Sequence, residues 1–308
     1  MLFLGYVVNA MDRGVLSILL EPIKLTFHAS DTELGLLGGL AFALFYSTLG
    51  IPIAMLADRT SRRNVLAACV ALWSVMTALC GMATTFLALL LARTGTGVGE
   101  AGGSPPSHAL IADYFPISKR ATAFSVYALA IPAGAMLGSF FGGWFNELYG
   151  WRATFILIGL PGVLVALLVR FTVKEPPRGY ADRLAANLEP QAAGAKVAVP
   201  PFWDVVRFFN RRPSFWHLCL AAALHSVVWY GGSTFNAVFF IRSHHMSTGE
   251  AGSWLALMAA IAGIGTFLGG YLGDRLSVRT GDRRWYLWVP AVGALLMVPL
   301  QFLTYLAG

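Results

Sequence analysis

Charge is what this sequence has least of. Of its 308 residues only 12% are Asp, Glu, Lys or Arg, against 57% hydrophobic, and the mean hydropathy is +0.66. A soluble domain carries about twice that charged share, so a soluble fold is excluded. Cysteine is also scarce. Cys69, Cys80 and Cys219 all fall inside apolar stretches, where they serve as small hydrophobes and say nothing of redox compartment. The apolar stretches lack the polar–apolar alternation of a membrane-spanning β-barrel. There is no nucleophile–base pair, dinucleotide-binding loop or metal-ligand cluster, so neither an enzyme nor a cofactor is expected. The adjacent His244 and His245 lack further ligands, and no metal site is expected from them. The first apolar stretch is not expected to be a cleavable signal, because Asp12 and Arg13 sit at its centre.

What the chain does have is apolar runs long enough to cross a bilayer, which takes roughly 20 helical residues. Nine are expected, near residues 2–27, 33–57, 65–84, 86–114, 120–146, 152–172, 213–242, 250–273 and 285–306. The class is an all-α, multi-pass membrane protein. Its net charge of +7 is no nucleic-acid signal, since the cations gather in alternate links: Arg59, Arg62 and Arg63; Lys119 and Arg120; residues 170–212; and residues 274–284. The positive-inside rule places these links, and the N-terminus, on the cytoplasmic side of an inner or plasma membrane. Residues 174–212 are rich in Pro, Ala and charge and read as a cytoplasmic linker with a short interfacial helix around 202–209. The expected organisation is a six-helix bundle over 1–173, the linker, and three helices of a second bundle over 213–308.

Two carboxylates stand where a bilayer disfavours them. Asp12 lies in the first run, beside Arg13; Glu100 lies in the fourth, seven residues after Arg93. Counted at 1.5 Å per residue, both are roughly 20 Å from the outer end of their runs, near mid-membrane. Charge at that depth usually marks a substrate path or proton relay. The plainer alternative is a permanent ion pair, Asp12–Arg13 or Glu100–Arg93. Side chains of adjacent helical residues diverge by about 100°, which weakens the first of these. Arg13 and Arg93 suit an anionic head group as guanidinium donors or simply hold the charge of the acids. Glycines 95, 97, 99, 102 and 103, followed by Pro105 and Pro106, read as a packing face and a bend.

The second block echoes the first. Asp58-Arg59 follows the second run and Asp274-Arg275 follows the eighth, each with further arginine behind, as in a parallel repeat of six plus six spans. On that pattern the second half stops three spans short. The repeat offset maps Asp12 near Val228, where no acid stands. The seventh run offers His225, Trp229, Tyr230 and Asn236 instead, aromatic and polar groups suited to an amphipathic substrate or to plain packing.

The segment Ala54-Met-Leu-Ala-Asp58-Arg59-Thr-Ser-Arg62-Arg63 resembles the link signature of the major facilitator superfamily, with Ala54 where that family has Gly. The second copy keeps Gly270 but has Val278 at one basic position. Asn9-Ala-Met-Asp12-Arg13 and the segment from Gly97 through Glu100, Pro105, Pro106 and His108 to Asp113-Tyr-Phe-Pro116 are similar to the spinster branch. The resemblance implies spans one and four lining a central cavity, with Asp12 and Glu100 as proton-coupling groups. It implies a cytoplasmic gate at Asp58, Arg59, Arg62, Arg63, Asp113, Arg120, Asp274 and Arg275. It also implies proton-coupled transport of an amphipathic organic anion or lysolipid-like molecule, partnered by protons and the lipid bilayer. Drug efflux and organic-acid uptake stay open at this point, as does a truncated, non-transporting receptor or scaffold.

Overall fold

The computed structural model describes residues 1–186 and 201–306. These form helices and turns, with no strand among the described residues, and each expected run falls on helix. Part of the expected linker, 187–200, lies outside the described residues, as do 307 and 308. The first span is α1 (Leu2–Phe27). The second joins α2 (Asp31–Gly35), a π-turn over Leu36–Leu40, and α3 (Ala41–Arg59). The third is α4 (Arg62–Met82). The fourth is α5 (Phe86–Glu100) with α6 (Ser104–Tyr114). Helices α7 (Ile117–Ala128) and α8 (Ala130–Thr172) hold the fifth and sixth. Two short helices, α9 (Tyr180–Ala185) and α10 (Phe202–Asn210), precede α11 (Pro213–Ser243), α12 (Thr248–Thr280) and α13 (Trp285–Leu306).

Helix starts follow local chemistry. Ser30 with Glu33, and Ser247 with Glu250, form reciprocal capping boxes before α2 and α12. Ser61 and Thr85 accept the N–H of Asn64 and Ala88 and cap α4 and α5. The fifth and sixth spans meet at Gly150, whose φ of 78° is left-handed and favours glycine. The fourth span, expected as one helix, is broken at 101–103. Pro105 and Pro106 have no N–H for the helical ladder, so the second half restarts at Ser104. Glu100 is thereby the last residue of α5.

The first bundle has two apolar cores. In one, Val15, Ile18, Leu19, Leu20 and Ile23 of α1 pack with Trp151, Phe155 and Ile158 of α8. In the other, Leu66, Val70 and Trp73 of α4 meet Leu110, Ala166 and Val169. Backbones come close where glycine allows it. A Cβ on Gly99 would lie 2.6 Å from the Trp73 nitrogen, so α5 packs on α4 only because that position has no side chain.

The second group of helices touches the first along α1–α11 and α8–α12. From the level of Arg13 toward Asp31 these contacts combine apolar packing, with Ala237 and Val238 of α11 buried in the α1–α8 core, and polar bonds. Ser17 donates to the carbonyls of Ser233 and Thr234 (2.8 and 3.0 Å). Arg242 binds Glu21 (2.7 Å) and Asp31 (2.8 Å). Glu147 accepts the Gly249 N–H at the start of α12 (3.0 Å), and Asn146 donates to Thr248 (3.0 Å). Toward Asp58 the picture changes. Asp274 accepts from Tyr286 and Arg275 donates to Tyr271, both within the second group. The two groups are therefore closed on the Asp31 face and, among the described contacts, unlatched on the Asp58 face.

Candidate functional site

Asp12, Arg13, Arg93 and Glu100 converge in the middle of the first bundle. Asp12 (0% exposed), Glu100 (1%) and Arg93 (3%) are sealed, and 28% of the Arg13 side chain stays open. The helix geometry sets the pairing. Arg13 points away from its neighbour and donates from Nε to Glu100 Oε2 at 2.7 Å. Its Nη1 donates to the hydroxyl of Tyr230 on α11 at 3.1 Å, so one guanidinium ties both groups of helices together. Asp12 accepts instead from Thr77 of α4 (3.1 Å). Glu100 repels the Asp12 charge, while Arg93 and Arg13 attract it. Both guanidinium groups lie 5.1 Å from the Phe42 ring, and Arg13 is equally close to Tyr46, which stacks on Phe42.

With both acids ionised this tetrad is neutral, two charges against two. Yet Asp12 Oδ1, Glu100 Oε1, and Nε and Nη1 of Arg93 are buried without a hydrogen-bond partner. Unanswered polar atoms at this depth are costly. A proton on one acid leaves the four groups with one net positive charge, and Arg13 is the partly open member of the four.

The other expected substrate residues spread out along α11. Tyr230 is brought into the tetrad. His225 and Trp229 stack on each other (6.3 Å) on an exposed stretch, and Asn236 lies further toward the Asp31 face, partly buried.

The expected gate residues divide. Arg62, 3% exposed, pairs with Asp113, donates to Glu175 (3.1 Å) and to the Pro176 carbonyl (2.8 Å). Glu175 also accepts from Ser61 and from the N–H groups of Arg62 and Arg63, capping the start of α4. Burial pushes the Glu175 carboxyl up. Its bonds from Ser61, the Arg63 N–H and Arg62 outweigh that and hold it below the ordinary carboxylate range. Asp113 accepts the Gly179 N–H (2.7 Å). Arg120 binds Asp182 (2.8 Å) and the Ala112 carbonyl (2.6 Å). Asp58 makes a long, exposed pair with Arg178 (3.5 Å), and Arg63 reaches the Val173 carbonyl (3.4 Å). Arg59 is exposed at the end of α3. Apart from Arg59, these groups bind the segment 173–182, and among the described contacts none reaches Asp274 or Arg275.

Sequence reasoning missed Thr77, Phe42, Tyr46, Glu175, Arg178 and Asp182. The i,i+4 aromatic pair in an apolar span was a readable signal. So was Lys174-Glu-Pro-Pro-Arg178, whose charges complement the link at 58–63.

The sequence profile of the Major Facilitator Superfamily matches residues 2–307. An MFS-type efflux pump of Mycolicibacterium smegmatis is 33% identical over 298 residues, covering 96% of this chain and 66% of that protein. Protein spinster homolog 1 of Mus musculus is 30% identical over 291 residues, 89% of this chain and 52% of that protein. Among solved structures, a bacterial homolog of the human lysosomal transporter spinster, inward-facing and occupied, superposes with a TM-score of 0.76 at 37% identity. It covers 97% of this chain and 65% of that one. The chain thus spans between half and two thirds of the length of these relatives.

Proposed function

This chain belongs to the Major Facilitator Superfamily, on its spinster-like branch, and from that premise we propose that it is a proton-coupled secondary transporter of amphipathic organic anions, lysolipids among them. It is a multi-pass membrane protein and not an enzyme. The observation that carries the proposal is the Arg13–Glu100 pair inside a charge-neutral tetrad. Coulomb attraction at 2.7 Å is roughly 6 kcal/mol at an effective dielectric of about 20, before desolvation and the partial exposure of Arg13 reduce it. A proton on Glu100 removes that attraction. Arg13 is then free to bind a phosphate or carboxylate head, with Phe42, Tyr46 and Tyr230 flanking it for an apolar tail. Asp12, held by Thr77 and facing Arg93, is the second proton site. Proton and anion are then bound by the same state.

The conformation suits alternating access. Lobe contacts gather on the Asp31 face, and among the described residues none latches the Asp58 face. We assign the Asp58 face and the N-terminus to the cytoplasm, so this state is inward-facing. Side-selective labelling of an Arg59→Cys variant in intact cells tests the assignment: modification from outside reverses it.

The coupling is tested by binding of lysophosphatidylglycerol, and of glucarate as an anion without a tail, to purified protein. Lysophosphatidylglycerol affinity rises on acidification in the parent and loses most of that pH dependence in Glu100→Gln, with Asp12 supplying the rest. A pH-independent parent overturns the reading. Drug efflux is the second reading, favoured by the 33% identity with the Mycolicibacterium pump; a neutral or cationic drug binding independently of Arg13 would support it.

A further inference from the structure

Helix α10 has no part in the proposed transport cycle, yet its sequence is the most strongly two-sided of the longer described helices. Phe202-Trp-Asp-Val-Val-Arg-Phe-Phe-Asn210 places positions 202, 205, 206 and 209 within about 100° of one another at 3.6 residues per turn. Asp204, Arg207 and Arg211 project from the opposite side, with Trp203 and Phe208 at the boundaries. Several of its apolar side chains are open: Trp203 is 69% exposed, Val206 38% and Phe209 40%, the last resting 4.7 Å from the Phe215 ring of α11. Two turns of apolar surface left open to water cost free energy with nothing in return.

The position of the helix says what covers it. The far end of α11, Arg242, is bonded to Glu21 and Asp31 on one face of the molecule. Thirty-one helical residues span about 46 Å, so Pro213 is on the opposite face, where the chain enters the bilayer. Asn210 is three residues earlier, and its side chain accepts from the Trp216 indole of α11 (3.2 Å). Helix α10 is therefore held at the membrane surface on the Asp58 face, next to lipid head groups. Its cations are grouped there. Arg207, Arg211 and Arg212 border an open groove of about 660 Å³ with Asp204 and Phe208. Arg212 rests 4.4 Å from the Phe208 ring, and Arg207 is 3.7 Å from Asp204. Three guanidinium groups against one carboxylate leave a net charge of +2, and guanidinium matches phosphate bidentately.

We propose that α10 is an interfacial anchor that lies on the leaflet of the Asp58 face and binds anionic phospholipid head groups through Arg207, Arg211 and Arg212. The apolar side enters the boundary between head groups and acyl chains, as interfacial helices do. The arginine groove then takes a lipid phosphate, and each basic group near an anionic surface contributes about fivefold in partitioning. The anchor fixes the start of α11, and so the depth at which Tyr230 meets Arg13.

The test uses the whole chain, with Cys219→Ser, in nanodiscs of phosphatidylcholine alone or mixed with phosphatidylglycerol. An environment-sensitive fluorophore on Val206→Cys reports burial, and native mass spectrometry counts retained phosphatidylglycerol. The expected result is apolar emission in both lipids, a further blue shift with phosphatidylglycerol, and retained anionic lipid. The variant Arg207→Gln/Arg211→Gln/Arg212→Gln loses the increment and the retained lipid while keeping its helical circular dichroism. Asp204→Asn, which removes the one anion, raises both. A water-like emission in either lipid overturns the anchor. Equal retention in parent, triple-glutamine and Asp204→Asn proteins overturns the head-group site, as does a pair of variants that fail to move in opposite directions.

Discussion

Replacing Arg62 with alanine should do far more damage than replacing Asp58 with asparagine, although the link sequence gives the two equal prominence. Arg62 is sealed and holds Asp113, Glu175 and the Pro176 carbonyl at once. Removing one partner of a buried pair costs roughly 3–5 kcal/mol. Asp113 keeps its bond from Gly179, and Glu175 keeps those from Ser61 and the two backbone N–H groups. The loss therefore belongs at the low end, about 3 kcal/mol. The Asp58 carboxylate is half exposed, and its pair with Arg178 is 3.5 Å long, so it contributes below about 1 kcal/mol. At roughly 2 °C per kcal/mol for a chain of this size, thermal unfolding in detergent should drop by about 6 °C for Arg62→Ala and about 2 °C at most for Asp58→Asn. Hydrogen exchange should show amides 173–182 loosening in the first variant only. Equal shifts, or a larger one for Asp58→Asn, would refute the assignment of Arg62 as the anchor of this face.

Two further outcomes follow from the geometry. The folded-state Glu175 carboxyl lies below its ordinary range, so its stabilisation is complete above the unfolded value, near 4.3, and is lost as pH falls through the folded value. Protection of amides 173–182, taken relative to the intrinsic exchange rate at each pH, should fall on acidification, and Glu175→Gln should flatten that dependence; an unchanged pH profile in the variant would exclude Glu175 as its source. Gly99→Ala drives a methyl toward the Trp73 backbone at 2.6 Å, where overpacking costs about 1–3 kcal/mol. It should lower the melting temperature by several degrees, whereas Gly265→Ala, with open space around it, should not.

The fold was legible because apolar run length and helix length are set by the same bilayer thickness. The nine runs therefore fell on helix without any knowledge of packing. What run length cannot show is how a span breaks inside. The prolines at 105 and 106 announced a bend, but the restart at Ser104 that leaves Glu100 at a helix end needed the backbone itself. The four charges of the tetrad were legible for a different reason: a mid-membrane charge is rare enough to stand out singly. Their pairing was not. Sequence neighbours suggested Asp12–Arg13 and Glu100–Arg93, while the three-dimensional arrangement crosses them, giving Glu100 to Arg13 and Thr77 to Asp12. A threonine in an apolar helix carries no such flag. Glu175 escaped notice because it follows the last span of its bundle and reads as linker, although it caps α4 from more than a hundred residues away.

We propose that Glu100 and the substrate compete for Arg13. The most direct measurement is uptake of lysophosphatidylglycerol into liposomes holding the natural full-length protein, with an imposed pH gradient. Glutamine keeps the shape and hydrogen-bonding capacity of Glu100 and removes its proton. Parent protein should accumulate the lipid against its gradient. Glu100→Gln should bind it with an affinity that depends far less on pH and bring it only to equilibrium, and Asp12→Asn should lose accumulation to an equal or smaller degree. Uphill accumulation by Glu100→Gln at the parent level would contradict the account and reduce Glu100 to a structural partner of Arg13.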